Sequence, residues 1–264
     1  MYEFTYHQAA SVDDAKAKFA AGDDATLMGG GMTLIPTLKQ RLAMPTDVID
    51  LGGIDSLAGI SVDGDTLTVG AMTKHDTVAN SAEVKAFCPA LADLAGMIGD
   101  PMVRNRGTIG GSIANNDPAA DYPSAIVGLG ATVVTDAREI AADDFFTGMF
   151  ETALEPAEIV TAIKFPRAKR AAYAKFPNPA SRYAIVGVFV AEAADGMRVA
   201  VTGAAASVFR HGGMEAALAG SFAADAVAGM GGDAGLMNSD IHASAEYRAH
   251  LVGVMARRAV ASIA

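Results

Sequence analysis

Thr26-Leu27-Met28 is a short apolar run that passes without a spacer into Gly29-Gly30-Gly31. A strand ending in three glycines can turn sharply, because no Cβ blocks the backbone, and it brings successive N–H groups toward one point. Such a concave cluster of donors suits a phosphate-like anion. No Gly-Lys-Ser/Thr follows at Walker spacing, and Leu34 stands where a GxGxxG fingerprint needs its last glycine, so ATPase and Rossmann readings lose ground. A glycine triplet also serves as an ordinary tight turn, so a second element is required before it implies a ligand.

The second element is RGTIGGSIANNDPAADYP, from Arg106 to Pro123. It combines the pair Gly110-Gly111, hydroxyls at Thr108 and Ser112, the amides of Asn115 and Asn116, and the carboxylates of Asp117 and Asp121. Pro118 and Pro123 restrict its backbone. A polar run this dense inside an otherwise apolar chain calls for a guest to satisfy it, unless it is a solvent-exposed loop.

Composition removes several classes of function. Twenty basic against 30 acidic residues give a formal charge of −10, and no Lys/Arg stripe is present to neutralise nucleic-acid phosphates. Cys88 is the only cysteine, so the chain cannot supply the thiolates of an iron–sulfur cluster or form an internal disulfide. His7, His211, His242 and His250 have no carboxylate or cysteine at ligand spacing, so no metal is assigned. The longest apolar stretch, 183–194, is well short of the ~20 residues that a spanning helix needs and reads as a buried strand. The N-terminus lacks a basic segment followed by an apolar one, which makes the cytoplasm the expected location.

Up to about residue 165 short strands alternate with helices. Residues 2–6 alternate as a strand, Ser11 offers a cap to a helix over 12–21, and Asp63-Gly64-Asp65 joins 57–62 and 66–69 as a hairpin. Helices are expected over 76–87 and 89–98. His75 opens the first of these as a capping or loop histidine, and Asp143-Asp144 reads as an N-cap before Phe145-Phe146. Between about Pro166 and Pro179 four basic residues and three prolines interrupt the apolar pattern, marking a domain boundary. Beyond it come strands over 183–191 and 197–204, a helix near 213–219, and a Gly/Ala-rich loop to about 238, mobile over 229–235. A last helix begins near Asp240, with Tyr247, Leu251, Val254 and Met255 on its packing face.

The run Thr108–Pro123 together with GGGMTLIPTLK (Gly29–Lys39) resembles the paired FAD loops of the medium subunit of aerobic carbon monoxide dehydrogenase and of the flavin domains of xanthine dehydrogenases and aldehyde oxidases. Ser244–Leu251 with Arg257-Arg258 resembles the ending of the same molybdenum hydroxylase family. The resemblance implies an α+β fold: a two-lobed FAD-binding domain of the PCMH (vanillyl-alcohol oxidase-like) type over 1–170, with lobes of about 1–55 and 56–170. A small α/β C-terminal domain of the CO dehydrogenase flavoprotein type follows over 171–264.

It also implies the site. Gly29, Gly30, Gly31, Met32 and Thr33, with Leu34 beside them, wrap the FAD diphosphate, and Thr108, Gly110, Gly111 and Ser112 close on it. Asp121 contacts the ADP portion, with Asp117 as a second carboxylate. Ile98, Val160 and Lys175 match positions that touch the flavin, and Tyr183 stands where the carbon monoxide dehydrogenase branch has a tyrosine against the isoalloxazine face. From the residues alone, Lys175 also reads as a solvated lysine and Tyr183 as an ordinary strand tyrosine. Several relatives have Asp where Ile185 stands, so details around the ring differ here.

No catalytic constellation is apparent, so the hard chemistry belongs to the cofactor. The implied role is electron transfer. A large subunit oxidises substrate at a molybdenum cofactor, and a small subunit relays electrons through two [2Fe–2S] clusters. FAD on this chain passes them to an acceptor such as a quinone. A dimer of heterotrimers, without a transmembrane segment but peripheral to the inner membrane through the complex, is the implied assembly. The competing readings are a free-standing FAD-dependent oxidase or dehydrogenase and a non-catalytic nucleotide-binding assembly protein.

Overall fold

The computed structural model describes residues 1–263. The first lobe is a three-stranded parallel sheet in which Asp47–Asp50 lies between Thr5–Gln8 and Ala25–Met28. Parallel neighbours need crossovers. One is the helix Val12–Ala21, whose cap is Ser11: its hydroxyl accepts from the Asp14 N–H at 3.1 Å. The first strand starts at Thr5, three residues later than the alternation of residues 2–6 suggested, because pairing with the central strand begins at Thr5–Asp47. Ala25–Met28 delivers the chain at its carboxyl end into Gly29–Gly31, the end of a parallel strand at which open α/β sheets bind ligands.

The second lobe is a five-stranded antiparallel sheet ordered Ile60–Asp63, Thr66–Gly70, Val160–Pro166, Thr132–Thr135, Glu139–Ala141. Its hairpin turns at Gly64, where φ is +54°, as Asp63-Gly64-Asp65 foretold. Leu57 is not part of that hairpin but closes a 3-10 turn, Asp55–Leu57, with its side chain buried. Helices packed on the sheet contribute Leu91, Leu94, Ile109, Ile113 and Ile126 to a core with Leu67 and Phe165. The single helix expected over 76–87 is two, His75–Asn80 and Ala82–Phe87. Ser81 breaks it by taking an extended conformation (ψ 131°) and capping the Val84 N–H with its own hydroxyl. Ser is as good a cap as it is a poor helix interior.

In the C-terminal region Arg170–Pro177, Ala184–Ala193, Gly196–Thr202 and Phe209–Arg210 form a four-stranded antiparallel sheet. One face carries the helices Gly212–Gly220 and Ala245–Ala261, through Val186, Val188, Val201, Met214, Val252 and Met255. Tyr173, Phe189, Ala191 and Ala200 on the other face join the core of the second lobe. Burial on both faces explains why the central strand reads as an unbroken apolar run rather than an alternation. The Gly/Ala-rich loop expected to about residue 238 contains two 3-10 turns, Ala224–Val227 and Ala234–Leu236, the second of them overlapping the segment 229–235 expected to be mobile.

Two side-chain assignments are corrected. The last helix starts at Ala245, not near Asp240, with Ser244 as its cap. The Asp240 carboxylate is already engaged, accepting from the N–H groups of His242 and Ala243 and from Arg248 at 2.7 Å. The packing face of this helix therefore centres on Arg248, Leu251, Val252 and Met255, while Tyr247 is exposed and Val254 only partly buried. Asp143 caps nothing: it pairs with Arg198 (3.0 Å), which also holds Asp195 and the Val127 carbonyl, clasping the C-terminal sheet to the helix Tyr122–Gly128. Among the described residues no helix is long and apolar enough to cross a membrane.

Candidate functional site

The glycine loops that lie some eighty positions apart in sequence meet in space. A Cβ built on Gly30 would stand 2.6 Å from the Arg106 carbonyl carbon and almost on top of its oxygen. One on Gly29 would reach the Thr108 hydroxyl at 3.0 Å, and one on Gly110 would collide with Ala71 at 2.5 Å. Gly30 and Gly110 are needed because neighbouring backbone comes close and Gly29 because the Thr108 hydroxyl does, while Gly31, at φ +71°, is also needed for its conformation.

The two loops differ in what they leave free. In the second, Ile109 N–H donates to Thr73 O, Gly110 N–H to Ala71 O, and Gly111 N–H to the Thr108 hydroxyl at 3.2 Å, so the start of the helix Ile109–Asn115 is already satisfied. In the first, the N–H groups of Gly30, Gly31, Met32 and Thr33 donate to no acceptor among the described residues. The Ser112 hydroxyl and Asn115 amide, which also line the cleft, make no side-chain hydrogen bond among the described residues. Polar groups gathered without partners in a concavity are the mark of a ligand site.

The cleft has a volume of about 580 Å³, within the range of ~300–1,000 Å³ usual for cofactor pockets. Gly29, Gly30, Gly31, Met32, Thr33 and Leu34 line it from one side, and Thr108, Gly110, Gly111 and Ser112 from the other. Ile98, Asp117, Asp121, Val160 and Tyr183 complete the set from separate parts of the chain. Lys175 is not in the wall. Its side chain is 4% exposed and its ammonium lies behind Asp121, donating to that carboxylate at 2.9 Å and to the Met97 carbonyl at 3.1 Å.

Asp121 is correspondingly less open than the sequence suggested. Its other oxygen accepts from the Tyr173 hydroxyl at 2.5 Å. Burial pushes its carboxyl above the ordinary range, and Lys175 and Tyr173 work against that shift. Asp117 accepts from the Ala119 N–H and is also raised by burial. Tyr183, 44% exposed, stands at the mouth, its phenol raised first by burial and then by the Asp117 charge.

The sequence missed His75, Met72, Leu154 and Ile159 in the wall. The apolar three carry no signal that separates a cleft lining from a core. His75 opens its helix as expected, yet its ring is buried under the second loop, where a Cβ on Gly107 would come 2.6 Å from Nε2. Its Nδ1 has no partner. Burial, and then the nearby Arg104 charge, lowers its pKa from 6.5 to about 4. The unfolded chain therefore binds a proton near pH 6.5 that the folded chain refuses until about pH 4. Stability falls as pH drops through this window, by up to about 3 kcal/mol from this residue. Urea unfolding at pH 7 and pH 4.5 checks this: His75→Asn should flatten the decline, and an equally steep decline in the variant would rule out His75 as its source.

Comparison with known proteins agrees with the geometry. The family described as FAD binding domain in molybdopterin dehydrogenase matches residues 2–168, and that described as CO dehydrogenase flavoprotein C-terminal domain matches residues 171–263. The chain is 35% identical over 269 residues to the nicotine 6-hydroxylase medium subunit of Paenarthrobacter nicotinovorans, covering 97% of this chain and 95% of that one. Against the carbon monoxide dehydrogenase medium chain of Hydrogenophaga pseudoflava it is 35% identical over 275 residues, covering 97% and 96%. A solved structure of carbon monoxide dehydrogenase from Hydrogenophaga pseudoflava, lacking the Mo-pyranopterin moiety of the molybdenum cofactor, superposes with a TM-score of 0.89 at 35% identity, covering 99% and 97%.

Proposed function

The chain belongs to the FAD-binding medium-subunit family of the molybdenum hydroxylases, and from that premise we propose that it is the electron-transfer subunit of a heteromeric complex. Residues 1–170 act as the FAD-binding domain and residues 171–264 as the C-terminal domain. Electrons reach it from a small partner subunit carrying two [2Fe–2S] clusters, which is fed by a large subunit holding the molybdenum cofactor. They leave to an external acceptor such as a quinone. The complex is a dimer of heterotrimers in the cytoplasm, in contact with the inner membrane only through its partners.

The observation that carries this reading is the run of N–H groups without a protein acceptor at Gly30, Gly31, Met32 and Thr33, in a loop packed against a second glycine loop. Four neighbouring N–H groups without a protein acceptor suit a diphosphate, and the cleft volume suits a dinucleotide-sized cofactor. When bound, FAD supplies reversible uptake and release of one or two electrons. The chain's residues hold and orient: Gly30 to Thr33 bind the diphosphate by backbone, Ser112 adds a hydroxyl, and Asp121, fixed by Lys175 and Tyr173, offers its remaining lone pairs to ribose hydroxyls. Ile98 and Val160 keep water from the ring and Tyr183 flanks its face. Supporting the need for partners, both relatives are named as medium chains of larger enzymes, and the sole cysteine, Cys88, is buried and cannot hold a cluster.

The test is purification of the tagged chain from its native cell. Two further polypeptides, one larger and one smaller, should accompany it, with iron, molybdenum and one FAD per copy of this chain. Recovery of the chain alone and without flavin would contradict the proposal.

A further inference from the structure

None of residues 244–251, the motif near the C-terminus, lines the cofactor cleft. Arg248 in that motif is nevertheless buried, 4% exposed on the last helix, at the head of a hydrogen-bond chain that ends in the cleft wall. We propose that Arg248 is a positioning residue for the cofactor, setting the second cleft loop and Tyr183 from the C-terminal domain. This role rests on the FAD reading above and adds to it a means by which the C-terminal domain controls FAD binding.

The chain starts at a guanidinium that serves three oxygens. Nη1 donates to the carbonyls of Ile185 at 2.7 Å and Gly203 at 2.8 Å, and Nη2 donates to the Asp240 carboxylate at 2.7 Å. Nε is buried without a partner, so these are the hydrogen bonds that fix the group among the described residues. The strands Ala184–Ala193 and Gly196–Thr202 end their ladder on this side at the pair Gly187–Thr202, and the guanidinium ties them together just past it. Gly203 fits there for want of a side chain: its φ is +81°, and a Cβ would stand 2.5 Å from the Ala184 carbonyl oxygen and 2.9 Å from that of Ile185.

From these strand ends the bonds continue to the cleft. Gly203 N–H donates to the Pro118 carbonyl at 2.8 Å, the Thr202 hydroxyl to the Ala120 carbonyl at 2.6 Å, and Ala184 N–H to the Ala119 carbonyl at 3.3 Å. Three successive carbonyls of the loop are thus held by the two strands that Arg248 joins. Asp117, Ala120 and Asp121 of this loop line the cofactor cleft, as does Tyr183, one residue before Ala184. A planar, permanently charged guanidinium fixes several oxygens in one rigid geometry, whereas an ammonium is a point charge on a flexible stem. Without that fork the buried carbonyls of Ile185 and Gly203 lose their donor, a cost that the strand ends relieve only by moving. Movement there carries the loop carboxylates and the tyrosine with it.

The test compares the full chain with Arg248→Lys, Thr202→Val and the double substitution, with Arg258→Lys at an exposed position of the same helix as control. Titration with FAD gives the affinity, and the visible circular dichroism of the bound flavin reports the groups around its ring. Each single substitution should weaken FAD binding about tenfold and change the dichroism, and the double substitution should lose less than the product of the two, because both break one chain. Arg258→Lys should change neither. A lower urea midpoint in Arg248→Lys with FAD affinity and dichroism unaltered would reduce Arg248 to a brace of its own domain and overturn the proposal, as would fully multiplicative losses. Amide hydrogen exchange of the FAD-free chain separates this failure from failure of the FAD reading. Exchange over 117–124 should quicken in Arg248→Lys, and unchanged exchange there overturns the link whether or not FAD binds. A wild-type chain that takes up no FAD sinks the proposed function instead.

Discussion

Gly30→Ala is expected to weaken FAD binding by at least about a hundredfold, or about 2.7 kcal/mol. The added methyl has no room: its carbon would fall 2.6 Å from the Arg106 carbonyl carbon and 2.8 Å from the Gly107 Cα. These are backbone atoms, so no side-chain rotation relieves the clash and the two loops must part. Parting them displaces the free N–H groups of Gly30 to Thr33, on which the proposed diphosphate cradle depends. Gly212→Ala is the control, since nothing lies within 4 Å of its added methyl, and its effect should stay within about ±0.5 kcal/mol. Titration with FAD, followed by the loss of its free fluorescence, measures both. Wild-type affinity in Gly30→Ala would mean that the glycine loops do not form the cradle.

The second large effect is on stability. Lys175→Met should cost about 3–5 kcal/mol, because it leaves the Asp121 carboxylate buried with only the Tyr173 hydroxyl to stabilise its charge. The two side chains are 4% and 3% exposed, so water cannot replace the ammonium. Removing the charge as well, in Asp121→Asn/Lys175→Met, should return much of the loss, because the pair's attraction mainly offsets its own desolvation. Urea unfolding of the two variants separates the explanations. A cost below about 1 kcal/mol for Lys175→Met would show that the pair is solvated and weak.

What was legible in the sequence followed from local chemistry. Asp63-Gly64-Asp65 specified its hairpin because one glycine at positive φ satisfies the turn, and Ser11 specified a helix start because its hydroxyl meets a nearby N–H. The glycine loops were readable for the same reason: their need for bare backbone is written in the residues themselves. Interactions distant in sequence were not readable. Lys175 looked like a boundary lysine because its partner, Asp121, lies 54 residues away. The start of the last helix was misplaced because Asp240 bonds Arg248 and its own loop instead of capping. His75 gave no sign of burial because the cover over its ring comes from Gly107 on another segment. Asp143 looked like a cap because its partner Arg198 comes from the C-terminal sheet.

A crystal structure of the chain grown with FAD tests the central claim most directly. The account predicts one FAD per chain, with its diphosphate within hydrogen-bond distance of the N–H groups of Gly30, Gly31, Met32 and Thr33, and its ring near Ile98, Val160 and Tyr183. A diphosphate held anywhere else, or a cleft that FAD does not enter, would contradict it.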